Sequence, residues 1–134
     1  MQDGEYIESI ESDPEEYLRS LSDLQSHWER KRENSDRTPH RLTLLYQAEI
    51  REWESELKRI YQLAAEEFID SDLQDWRRED YRMRREWEEE ARAQERRHVG
   101  SNISHTYYYR TLAQGIRERV KERMTVYHFQ SSRS

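Results

Sequence analysis

The chain contains no cysteine. That excludes a disulfide framework, a thiolate nucleophile, and zinc or iron–sulfur sites held by cysteine. Glycine occurs only at positions 4, 100 and 115, so a glycine-rich loop that cradles phosphate has no material, and a GxSxG nucleophile elbow is absent. Proline occurs only at 14 and 39. Sixty residues between Pro39 and Gly100 therefore lack both of the strong helix breakers, which cost about 1 (Gly) and about 3 kcal/mol (Pro) inside a helix. Long apolar runs are also missing: none approaches the roughly 18 residues of a membrane-spanning helix. The opening MQDGEYIESIESD is acidic where a secretory or mitochondrial leader is basic. These absences predict a soluble, cytoplasmic protein that does not engage a membrane, with the nucleus as an alternative if the source is a virus of eukaryotes.

What is present is charge and aromatic surface. Of 134 residues, 39% are charged and 33% hydrophobic, and the mean hydropathy is -1.37. This is a meagre supply of core for one compact domain, so the expected solution is paired amphipathic helices with the core completed by oligomerisation. Four Trp and nine Tyr distinguish it from a disordered polar chain. Charge is graded: residues 1–36 hold eleven acids and four bases, whereas residues 99–134 hold two and six. An acidic head and a basic tail attract each other within one chain or between neighbours. Arginine outnumbers lysine twenty to three, a bias suited to bidentate ion pairs and interfaces.

The fold class predicted is all-α, long helices in an antiparallel hairpin or bundle. Residues 1–12 read as a mobile acidic leader and 13–129 as a single helical domain, with helices at about 13–32, 39–69, 72–98 and 104–128 and a frayed tail at 130–134. Asp13-Pro14-Glu15-Glu16 spells an N-cap, a first-turn proline and a capping glutamate; Thr38-Pro39 repeats the signal. On the second helix Leu42, Tyr46, Ile50, Leu57, Ile60, Tyr61, Ala64 and Phe68 lie within about 80° of Trp53 at 100° per residue. A later stripe of Leu73, Trp76, Met83, Trp87 and Ala91 lies about 140° away if the helix is unbroken. A break at 69–72, with a capping box at Ser71–Gln74, is the favoured reading. The divergence also predicts self-association, with Trp76, Met83 and Trp87 near the interface. Gly115, inside the last helix, predicts close approach of another backbone.

Site chemistry is sparse. No catalytic residue, metal ligand set or cofactor site is expected. Glu95-x-x-His98 is the only metal-like spacing, and a di-iron bundle needs two such pairs and two further glutamates. Arginines and acids from Asp75 to Arg97 alternate, which predicts a solvated helix with i,i+4 pairs such as Asp80/Arg84 and Glu88/Arg92. A cleaner basic flank, Arg110, Arg117 and Lys121 with Tyr108 nearby, is the candidate contact for nucleic acid or another anion.

A different group of charges falls where apolar residues belong. Glu49, Glu56 and Glu67 lie about 40–60° from Trp53, and Arg123 and Arg119 lie about 20° and 60° from Ile116. Buried alone, such charges are expensive. The expected resolution is that Arg123 pairs with a carboxylate of residues 49–67, within the chain or across an oligomer, so all five join the candidate interface set.

Gln47-Ala48-Glu49-Ile50, Leu57, Arg59-Ile60, Ala64-Ala65-Glu66, Trp76-Arg77 and Arg92-Ala93-Gln94-Glu95-Arg96-Arg97 resemble the central helical region of some lentiviral Rev proteins. Leu18-x-x-Leu21-x-x-Leu24 stands where that family's export signal would be. The resemblance covers under half of the chain, and the family's dense arginine cluster has no counterpart. It implies an RNA-binding export adaptor as the second functional reading. The first is a non-enzymatic partner-binding protein: a coiled-coil-like oligomeric scaffold, an assembly subunit, or a viral accessory factor or inhibitor. It would bind itself or another protein, with nucleic acid a less favoured partner.

Overall fold

A computed structural model of the chain describes residues 14–101 and 103–133. They form four helices: α1 (Pro14–Glu33), α2 (Pro39–Glu67), α3 (Asp70–Arg97) and α4 (Ser104–Arg133), with no strand among the described residues. The leader at 1–12 and the Asp13 cap lie outside the described residues. α4 continues past the expected end at 128, so Gln130 belongs to the helix rather than to a frayed tail.

Local chemistry accounts for the boundaries. Thr38 is extended and its side chain accepts the Arg41 amide, with Pro39 at the first helical position, as helix N-terminal chemistry requires. Gly100 closes the α3–α4 connection at φ +88°, a conformation that costs a residue with a Cβ. Between α2 and α3 the backbone is extended at Phe68 and Ile69. α3 starts two residues before the Ser71 capping box, its N-cap residue Ile69 makes no side-chain capping bond, and Asp70 and Asp72 face the positive end of its dipole.

That break answers the divergent stripes. Tyr61 on α2 donates to Asp80 on α3, and Arg84 on α3 donates to Glu54 on α2 at 2.9 Å. The chain thus reverses and α3 lies back along α2. The 140° phase difference, which holds only for one unbroken helix, ceases to force the two stripes apart. Trp76 is accordingly inside the chain, edge-on to Tyr61 and Phe68 with ring centroids 5.7 Å from each. Trp87 is half-buried over Gly115, and Met83, between the two tryptophans in sequence, is half-buried as well. The expectation that these three must reach a second copy loses its premise.

α4 is the central element, packing against α2, α3 and α1. Thr106 donates to the Pro39 carbonyl at 3.1 Å and shares a 2.8 Å bond with Thr43, and Tyr127 meets Phe68 at the far end. α2 and α4 therefore run in the same direction. α1 runs against both: Trp28 Nε1 donates to Glu52 at 2.6 Å, and Lys121 Nζ donates to Gln25 at 3.1 Å. The core formed this way is built on Tyr17, Leu21, Trp53, Ile60, Trp76, Ile116, Val120, Met124 and Tyr127.

Candidate functional site: buried ion pairs and a basic end

The charges on apolar faces divide into two buried clusters. In the first, Glu49, 1% exposed, accepts from Arg32 of α1 and from Trp53 Nε1 at 3.0 Å. Glu56 accepts from the Tyr17 hydroxyl of α1 and from Arg59 at 3.2 Å. Glu67 is exposed near the end of α2 and is not part of this row.

The second cluster joins α4 to α3. Arg119 and Arg123, 2% and 4% exposed, face Glu79 and Asp80. Arg119 donates to both carboxylates and to Glu122 at 3.0 Å. Arg123 donates to Glu79 at 3.0 Å, to Asp80 at 3.2 Å and to the Trp76 carbonyl at 3.3 Å, with its guanidinium 4.5 Å from the Trp76 ring centroid. The expected partner of Arg123, a carboxylate of residues 49–67, is thus corrected to the Glu79–Asp80 pair. The reason is topological: the buried α2 glutamates Glu49 and Glu56 turn to α1, and the reversal at Phe68–Ile69 brings α3 acids to α4. Asp80 consequently faces inward and is not a surface partner of Arg84, which pairs with Glu54. Sequence periodicity holds no signal for Asp80, because its neighbours alternate in charge.

Electrostatics follow from this packing. The hydrogen bond from Arg119 holds the Glu79 carboxyl below its ordinary range, against the opposing effect of partial burial. Burial pushes the Tyr61 hydroxyl well above its ordinary range, with the hydrogen bond to Asp80 adding to it. Burial works to lower Arg119, and the bonds to Glu79 and Asp80 outweigh it, so its value is raised. These arginines are fully engaged and are not open to an external anion.

Several cations without a carboxylate partner lie at one end of the bundle, where α1 and α3 finish and α2 and α4 begin, although others, such as Arg19, Arg51, Lys58 and Arg85, are spread along the helices, and Lys31 at this end lies over the Trp28 ring at 4.9 Å. Two concavities flank the start of α2. The larger, about 470 Å³, is lined by His27, Arg30, Lys31, Asn34, Ser35, Arg41 and Leu45, with no carboxylate in its wall. The other, about 180 Å³, has a floor of Pro39, Leu42, Tyr46 and Ile103 and arginines 37 and 110 in its wall. Among the described residues, Arg30, Lys31, Arg37, Arg41 and Arg110 have no carboxylate within 4.0 Å. Arg37 stands between the two concavities at φ +56°, a left-handed conformation costing an L-residue roughly 1–2 kcal/mol.

Helix capping accounts for only part of this end. Bases in the last turns of α1 and α3 complement their dipoles. α2 is reversed: its first turn has no acid and carries His40 and Arg41, and its last turn has no base and carries Glu66 and Glu67. Each such placement opposes the dipole by roughly 0.3–1 kcal/mol. The polarity of the start of α2 is therefore kept against local helix preference, whereas the cations that end α1 and α3 agree with it.

The other candidates do not converge. Arg117 bonds its neighbour Glu118 at 3.4 Å, Lys121 is taken by Gln25, and Tyr108 is half-buried edge-on to Tyr109; Arg110 of that set lines the smaller concavity. Glu95 meets His105 at 3.0 Å, while His98 stacks on Tyr107 and bonds the Gln94 carbonyl, so the Glu-x-x-His spacing splits into two separate contacts. Among the described residues no group of three or more His, Asp or Glu is placed to hold a metal ion, and no helix is long and apolar enough to cross a membrane. Comparison of the chain with protein-family models, curated proteins and solved structures finds no match.

Proposed function

We propose that this chain is a non-enzymatic, stoichiometric binding protein whose docking surface is the basic end of the bundle, and that its partner is an acidic protein segment bearing apolar side chains. The observation that carries the reading is the pair of concavities at the start of α2: one has three Lys/Arg cations and no acid in its wall, the other an apolar floor between Arg37 and Arg110. Charge on the larger concavity would attract the segment and set its on-rate. The apolar floor of the smaller would take a side chain such as Ile or Tyr, of the size that anchors interfaces.

The second reading, RNA binding, draws on the same cations. One feature favours a protein segment: the two tyrosines lining the smaller concavity each have a face already taken, Tyr46 by the Arg32 guanidinium 4.7 Å from its centroid and Tyr107 by the stacked His98 ring, which leaves little open aromatic face for stacked bases. The test is fluorescence anisotropy with two labelled probes, a peptide alternating Glu with Ile and Tyr and a single-stranded RNA oligonucleotide. Saturable peptide binding, weakened at least about tenfold by Arg30→Glu/Lys31→Glu/Arg41→Glu, supports the proposal. Tighter binding of the RNA overturns it in favour of the second reading, and no binding of either overturns both.

A further inference from the structure

A segment of the required chemistry lies in the chain itself. Residues 1–13, MQDGEYIESIESD, carry five acids and no base, with Tyr6, Ile7 and Ile10 between the acids. We infer that this segment of one copy docks on the basic end of a second copy, joining molecules head to tail; the inference rests on the reading of the basic end as a surface for acidic segments.

Reach decides between the same chain and a second copy. The acidic segment leads into the start of α1, whereas the larger basic concavity begins at His27, Arg30 and Lys31 in its last two turns and extends past its end. Twenty helical residues make α1 about 30 Å long. Thirteen extended residues span at most about 45 Å, and some of that length is used reversing direction at Pro14. His27, at the near edge of the concavity, is about 20 Å along α1 from Pro14, so a segment folded back along its own α1 would bring no more than Met1–Tyr6 level with it. Ile7, Ile10 and three of the five acids would remain beside α1. In a second copy no such limit applies and the whole acidic–apolar stretch is free to dock.

Charge elsewhere on the molecule favours the same pairing. Residues 27–41 and 92–110, at the basic end, hold nine Lys/Arg against four acids. Residues 14–20, 62–80 and 119–133, at the end from which the acidic segment departs, hold ten acids against seven bases, a smaller excess of the opposite sign. Complementary ends placed head to tail make a heterologous contact, which propagates into a ring or a chain rather than stopping at a symmetric dimer.

Three full-length proteins test this by light scattering from micromolar to millimolar concentration: wild type, Glu5→Lys/Glu8→Lys/Glu11→Lys, and Arg30→Glu/Lys31→Glu/Arg41→Glu. Circular dichroism confirms that each is folded. The wild-type mass is expected to rise above 16.6 kDa with concentration and to fall back at high salt. Each variant alone is expected to stay monomeric, and their equimolar mixture to regain the higher mass, because each reversed segment then meets a reversed end. A wild-type mass that stays at the monomer value, or association that survives reversal of Glu5, Glu8 and Glu11, overturns the inference. A labelled peptide of residues 1–13 separates the two levels. If it binds wild type while the protein stays monomeric, docking between copies fails and the basic-end reading stands. If neither it nor the Glu/Ile/Tyr peptide binds, both fail.

Discussion

Arg123 and Arg30 carry the same charge in opposite environments. Arg123 is held by Glu79, Asp80, a carbonyl and a ring face, whereas Arg30 lines a concavity with no carboxylate in its wall. Removing one partner of a buried pair leaves the other charged and unsolvated, so Arg123→Ala is expected to destabilise the fold by about 3–5 kcal/mol. A double-mutant cycle with Asp80→Ala should show strong non-additivity; additive losses in chemical denaturation would mean that the two do not act as a pair. Glu79 gives the pH dependence. Its folded-state value is lowered from 4.5, so it contributes stability that is present above the unfolded value and is lost as pH falls through the folded one. Urea midpoints should therefore fall on acidification below about 4.5, and Glu79→Gln should flatten that part of the profile; an unchanged profile contradicts the assignment. Arg37 makes the reverse prediction. At φ +56° glycine fits the backbone as well or better, so Arg37→Gly should hold or raise the melting temperature while weakening binding of the acidic peptide.

Among the helices, the α3–α4 seam is the tightest point. A Cβ on Gly115 would stand 2.7 Å from Trp87 Cγ and 2.8 Å from Cδ2. The close approach expected at this glycine is therefore to an indole ring rather than to backbone. Alanine would add about 1 kcal/mol of helix propensity, yet overpacking typically costs about 1–3 kcal/mol. Gly115→Ala is expected to lower the melting temperature and change the tryptophan emission; a stabilised variant would show that Trp87 moves aside freely.

Much of the helix layout is legible in the sequence. Thr38-Pro39, the breaker-free stretch and the stripe around Trp53 define α2, and the change of phase after Phe68 locates a break. The direction of α3 is not legible, because hydrophobic phase says which face of a helix is buried and nothing about where a two-residue extended link sends the next one. The misassigned partner of Arg123 follows from that gap. The basic end is illegible for a related reason: its cations are separated by up to eighty residues, and only the folding of four helices gathers Arg30, Arg37, Arg41 and Arg110 at one place.

Across the whole molecule, two groups of cations stand apart from those spread over the surface. Those inside hold helices together, and those at the end where α2 begins line the proposed docking surface. Both roles can be measured together as melting temperature and as its rise on adding the Glu/Ile/Tyr peptide, since a ligand that binds only the folded state stabilises it in proportion to the logarithm of its saturation. Arg123→Ala should melt far below wild type yet keep the peptide-induced rise, whereas Arg30→Glu/Lys31→Glu/Arg41→Glu should melt near wild type and lose the rise. An Arg123→Ala protein that melts like wild type and no longer responds to the peptide would contradict this division, because it would place the anion site at the buried arginines and leave the basic end without a role.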